Sequence, residues 1–151
     1  MSKPKVAVVR CEKPEGNDGF IAGKYVRKEE DVAKIKAAVA KAVELSIGSL
    51  DAIIKEGQTV LIKPNLAFQA PPESFAVVDP RTVEAVVAYV KENSKAARVV
   101  LGDNPSLGMH VGRAKPAFAE SGMEEAARLG GVDEVIYFDE EEVVEMDIPG
   151  A

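Results

Sequence analysis

Apolar residues along the chain follow two patterns, and together these patterns predict strands that alternate with helices. Short runs that are almost wholly apolar, such as VAVV at 6–9 and VLI at 60–62, are typical of strands buried on both faces of a parallel sheet. Longer stretches repeat apolar residues every three or four positions, as the buried face of a helix requires. The predicted strands are residues 5–10, 59–63, 98–101 and 134–138, and the predicted helices are 29–45, 80–93, a short one from 115, and 123–129.

This alternation predicts an α/β fold with three layers. A mainly parallel sheet would carry helices on both faces, joined by right-handed crossovers. Residues 143–148 alternate between apolar and polar, so an antiparallel strand at one edge of the sheet is a further option. We interpret residues 1–151 as a single α/β domain, since this length fits one hydrophobic core, and we expect it to be the N-terminal part of a longer protein.

Composition and charge exclude several classes of partner. Hydrophobic residues make up 46% and charged residues 29%, which is an ordinary globular composition. The net charge of −6 without a basic stripe disfavours nucleic acid and anionic membrane surfaces. No apolar run approaches the roughly 18 residues of a membrane span, and the N-terminus lacks a signal-peptide pattern. We therefore expect a cytoplasmic protein. The single cysteine, Cys11, cannot form an intrachain disulfide or hold a metal cluster alone.

The segment VLIKPNL at 60–66 carries the first candidate chemistry. Pro64 cannot donate a ladder hydrogen bond, so the strand is expected to end there with Lys63 and Asn65 at its tip. Open α/β sheets keep their ligands at the carboxyl ends of strands. Lys63 can neutralise a phosphate or carboxylate, and Asn65 can donate a hydrogen bond to an oxyanion. The alternative is a solvated lysine beside an asparagine that caps a turn.

A second strand tip, VVLGDNP at 99–105, places Asp103 and Asn104 in a similar position. An acid there can act as an acid/base group or bind a cation, although an Asx-turn is an equally good explanation. In the following loop, His110 is a candidate base or ligand and Arg113 a candidate anion partner, while surface positions are the alternative for both. We predict one polar cleft in which Lys63 and Asp103 are catalytic, Asn65, Asn104, His110 and Arg113 bind ligand, and no residue binds a metal.

These segments, with the Asp79-Pro80 pair and SGM at 121–123, resemble the domain of unknown function 362 family from residue 6 to about 139. Members of that family are usually larger, and many have ferredoxin-type cysteine clusters in other segments. The resemblance thus implies that an iron–sulfur cluster would lie outside this chain, which itself needs no cofactor. Threonines typically precede the Asp-Pro pair, whereas Val77 and Val78 stand here. A later block with lysine and histidine is missing, which implies half of a site.

Three functions remain open at this point, and whether the protein is an enzyme stays undecided. The first is an enzyme half-site for a small anionic molecule, built from the two strand tips. The second is a non-catalytic binding or assembly module that pairs with the rest of the full-length protein or with a second copy of itself. The third is the cluster-free part of an iron–sulfur redox or racemase-like enzyme.

Overall fold

The computed structural model describes residues 5–11, 20–21, 24–67, 69–74, 76–105 and 113–142. Within these ranges, helices alternate with the strands of a parallel sheet, after a short hairpin. The elements in chain order are strands β1 (Phe20–Ile21) and β2 (Lys24–Tyr25), helix α1 (Glu29–Ile47), strand β3 (Thr59–Ile62), helix α2 (Pro80–Asn93), strand β4 (Arg98–Asp103), helices α3 (Ala114–Glu120) and α4 (Met123–Gly130), and strand β5 (Glu134–Tyr137). Short 3-10 turns at Leu50–Ala52 and Pro72–Ser74 lie in the connections.

Strands β3, β4 and β5 form one sheet in that order, and both pairs of neighbours are parallel. The register places Ile62 opposite Leu101, and Asp103 opposite Tyr137. Four helices surround this sheet within the described part of the chain, so the predicted α/β class with a parallel sheet is confirmed. No helix among the described residues is both long and apolar enough to cross a membrane.

Helix α2 connects the helices, because it packs against both α1 and α4. Its start follows the local signals: the Asp79 side chain accepts a hydrogen bond from the backbone N–H of Arg81, and Pro80 occupies the first turn. The core is mostly aliphatic and includes Phe118, whose ring is fully buried and meets the Tyr137 ring edge-on at 5.3 Å.

A buried ionic cluster, which we call the Arg81 cluster, joins the starts of α1 and α2. Arg81 is only 6% exposed, and its guanidinium donates to both carboxylate oxygens of Asp79 and, at 3.2 Å, to Oδ2 of Asp31. The guanidinium also lies 5.5 Å from the centre of the Tyr25 ring. The hydrogen bonds that Arg81 donates to Asp79 raise the pKa of Arg81, and burial raises the pKa of Tyr25. This cluster therefore fixes the β2 strand and two helix starts to one another.

Two predictions about strands need correction. The prediction of a strand at residues 5–10 is wrong. These residues make no strand pairing among the described residues, and Val6 and Val8 are 86% and 91% exposed. A segment with the composition of a strand forms one only when a neighbouring strand pairs with its backbone N–H and C=O groups. Strand β4 is two residues longer than predicted, since Gly102 and Asp103 still pair with β5. The predicted edge strand at 143–148 lies outside the described residues.

Candidate functional site

Strand β3 ends at Ile62, one residue before the predicted end at Lys63, and the chain beyond it folds back on itself. The backbone carbonyl of Asn65 accepts a hydrogen bond from Val78, and Leu66 pairs with Val77 in an isolated antiparallel bridge. This return brings the chain straight to the start of α2 at Pro80. The segment just beyond Lys63 is thus tied by backbone pairing to the residues that precede α2.

Lys63 and Asp103 meet at the carboxyl edge of the sheet. The Nζ atom of Lys63 lies 2.9 Å from Oδ1 of Asp103, and the same oxygen accepts a hydrogen bond from the backbone N–H of Asn104 at 2.8 Å. The two partners differ in solvent contact, since the Asp103 side chain is 3% exposed and the Lys63 side chain is 61% exposed. A buried carboxylate therefore holds an ammonium group that faces solvent.

A small cavity lies beside this pair. It has a volume of about 80 Å³ and is lined by Lys63, Asn65, Leu66, Ala67, Asp103 and Asn104. Since a water molecule takes about 30 Å³ of liquid, the cavity holds two or three waters or one group of carboxylate size. The structure thus brings together four of the residues predicted from the sequence: Lys63, Asn65, Asp103 and Asn104.

The other two predicted site residues stand apart from this arrangement. His110 lies outside the described residues. Arg113 is exposed and is not among the described residues that line the cavity. Its backbone N–H, with that of Ala114, donates to Oδ2 of Asp139 at 2.7 and 3.0 Å. Arg113 therefore marks the start of α3, and nothing in its contacts connects it to the cavity.

Asp139 is a residue that the sequence reasoning missed, because residues 139–142 looked like a solvated acidic turn. It follows β5 closely and holds the start of α3, and its Oδ1 atom is buried and has no hydrogen-bond partner among the residues that the structure describes. The signal was present in the sequence, because Asp139 comes just after a predicted strand, as Asp103 does. Asp31 was missed as well, since its partner Arg81 lies 50 residues away.

Metal ligands do not gather within the described part of the chain. No group of three or more histidine, cysteine, aspartate or glutamate residues there could hold a metal ion. A cubane or two-iron cluster normally takes four cysteines, and the whole sequence has one. The residues of this chain therefore do not fit an iron–sulfur cluster, and no chemical step is derived through one.

Fold and site together define an α/β domain with a polar pocket at the carboxyl edge of its parallel sheet. A comparison with family models matches residues 60–151 to the family described as "Domain of unknown function (DUF362)". That match covers more than half of the sequence and includes β4, all of β3 except Thr59, and the whole cavity lining. The chain belongs to the DUF362 family. The match begins at residue 60, later than the expected residue 6, and continues to 151. Comparisons with curated proteins and with solved structures found no match.

Proposed function

We propose that this domain binds a small anionic group at the carboxyl edge of its sheet, and that Lys63 is the cationic contact. The observation that carries the proposal is the contact of 2.9 Å between Lys63 and the buried Asp103 beside a cavity of about 80 Å³. Strand tips of parallel sheets are common ligand positions, which supports a site here. Membership of a family of unknown function supplies no reaction.

The hydrogen-bond capacity of Lys63 supports an anion as the ligand. An ammonium group has three donors. Nζ uses one on Asp103 and makes a long contact of 3.4 Å with the Pro64 carbonyl. At least one donor is thus left for a ligand oxygen. Asn65 and Asn104 line the same cavity, and their side-chain amides are further donors that a carboxylate or phosphate oxygen could use.

Asp103 supports two roles in this proposal. Its Oδ1 holds the ammonium group in place, which lowers the entropy that Lys63 would lose on binding a ligand. Its Oδ2 makes no hydrogen bond within the described residues and can accept one from a ligand hydroxyl, or take a proton from it. A ligand with an anionic group and a neighbouring hydroxyl would use both halves of the pair.

The test is a thermal-shift screen of small anions and phosphorylated metabolites against the protein and two variants, Lys63→Ala and Asp103→Ala. We expect at least one anion to raise the melting temperature of the native protein, and each variant to lose that shift. Lys95→Ala is the matched control. The Lys95 side chain is 65% exposed, and its contact with the Asp51 carboxylate is long, at 4.0 Å. Shifts that survive in both site variants would discard the assignment.

A second candidate, the assembly module, is favoured by a different observation. Strand β3 lies at an edge of the sheet, and Leu61 on it is 51% exposed. Large apolar side chains in such positions often mark contact surfaces. In this reading the rest of a longer protein or a second copy covers β3. Sedimentation velocity on the protein and on Leu61→Lys tests it: a native chain that stays strictly monomeric at high concentration would count against self-association.

A further inference from the structure

A second cavity lies between the N-terminal segment and helix α1, and its lining differs from that of the Lys63 pocket. It has a volume of about 250 Å³, which is three times that of the first. We call it the α1 cavity. Its lining residues are Val9, Arg10, Cys11, Lys34, Ala37, Ala38 and Lys41. Every charged residue in this lining is a cation, although the chain as a whole has a net charge of −6.

The three cations differ in their ion pairing. Arg10 and Lys34 make no ion pair within the described residues, whereas Lys41 donates to Glu44, one turn further along α1, at 2.8 Å. Like charges repel one another, so an anion bound among Arg10, Lys34 and Lys41 would reduce their mutual repulsion. The exposed pair with Glu44 is weak enough for Lys41 to exchange partners.

The helix spacing gives the cavity an elongated floor. Lys34 and Lys41 are seven residues apart, so they lie on one face of α1 about 10 Å apart along its axis. Ala37 and Ala38 fall between them at the positions that share this face. Their small side chains leave room for a ligand to approach the helix closely, and Arg10 reaches the cavity from the N-terminal segment.

We propose that the α1 cavity binds a polyvalent phosphate, in the form of a diphosphate or triphosphate group. A single carboxylate would contact one of these cations at a time, whereas linked phosphates spread their charge over several ångströms and can meet two or three. The planar guanidinium of Arg10 can bind a phosphate through two hydrogen bonds, and the lysines supply point charges. This site is separate from the Lys63 pocket and does not depend on the function proposed above.

The position of Cys11 gives a direct experiment, since it is the sole cysteine of the sequence, is exposed and lines this cavity. The rate at which N-ethylmaleimide modifies Cys11 is measured against increasing pyrophosphate, with sodium chloride added to keep the ionic strength constant. We expect saturable protection of Cys11 by pyrophosphate, and none by chloride. Titration calorimetry with pyrophosphate and with ADP gives a second readout and shows whether a free or nucleoside-bound diphosphate is preferred.

Variants decide whether these cations are responsible. Arg10→Gln and Lys34→Gln should each weaken pyrophosphate binding about tenfold, the usual size of a lost charge-assisted contact. Lys115→Gln on α3 is the control and should leave pyrophosphate binding unchanged. Circular dichroism confirms that each variant is folded. Absence of saturable protection at millimolar pyrophosphate, or equal affinity in the native protein and in both glutamine variants, would overturn the proposal.

Discussion

Replacing Arg81 with leucine should destabilise the fold strongly, because this guanidinium neutralises a carboxylate that water does not reach. The Asp31 side chain is 0% exposed, and its only hydrogen bond within the described residues comes from Arg81 at 3.2 Å. Asp79, in contrast, is 31% exposed and still caps α2 through the backbone N–H of Arg81 after the replacement. The cost of Arg81→Leu therefore falls mainly on Asp31.

The magnitude follows from these exposures. Removing one partner of a buried ion pair typically costs about 3–5 kcal/mol, and we expect the lower figure because Asp79 can be hydrated. For a domain with a urea m-value of about 2 kcal/mol/M, a loss of 3 kcal/mol lowers the unfolding midpoint by about 1.5 M. The assay is urea denaturation followed by circular dichroism at neutral pH. The double variant Asp31→Leu, Arg81→Leu should regain part of the loss, since no buried charge is then left unpaired.

The control for this prediction is Arg128→Leu, which removes a guanidinium that binds Glu125 on the surface of α4. Those two side chains are 67% and 58% exposed, so the urea midpoint should stay within error of the native value. Equal urea midpoints for Arg81→Leu and Arg128→Leu would refute the reasoning. So would a double variant Asp31→Leu, Arg81→Leu that is less stable than Arg81→Leu by the full cost of a second core replacement.

Three further predictions test separate parts of the fold. Phe118→Ala should cost about 3–5 kcal/mol in urea denaturation because the ring is fully buried, and a loss below 1 kcal/mol would contradict its place in the core. Asp139→Ala should cost about 0.5–2 kcal/mol, the usual effect of losing a helix cap, and Asp139→Asn should recover part of it. Burial and the hydrogen bond to Glu124 raise the pKa of Tyr137 from 10.0 to about 12, so its stabilising contribution is full below pH 10 and disappears as pH rises to about 12. Absorbance titration of Tyr137→Phe should lack a tyrosinate transition near pH 12, and an unchanged curve would contradict this environment.

The part of the site that the sequence predicts depends on local signals. Pro64 ends a strand wherever that strand lies in the sheet, so Lys63 and Asn65 were expected at a tip without knowledge of the topology. Because parallel strands end at one edge, Asp103 was expected at the same rim. The actual contact depends on register: Ile62 is opposite Leu101, which leaves Lys63 and Asp103 near the same level. Sequence patterns do not fix that register.

Features that depend on distant partners could not be predicted in the same way. Asp31 looked like one of three acids in the first turn of a helix, but its burial comes from Arg81, 50 residues further along the chain. The run VAVV at 6–9 has strong strand composition, yet strand formation also needs a free neighbouring edge in the correct place. At both places, the structure depends on contacts with distant residues, which local sequence propensity does not predict.

The central claim is that Lys63, held by the buried Asp103, binds an anionic group in the pocket at the carboxyl edge of the sheet. The most direct measurement is a nuclear magnetic resonance titration of the side-chain amides of Asn65 and Asn104 with acetate and with phosphate. We predict saturable shifts of both amide groups in the native protein and their loss in Lys63→Ala. Shifts that do not saturate, or that are the same in Lys63→Ala, would contradict the claim.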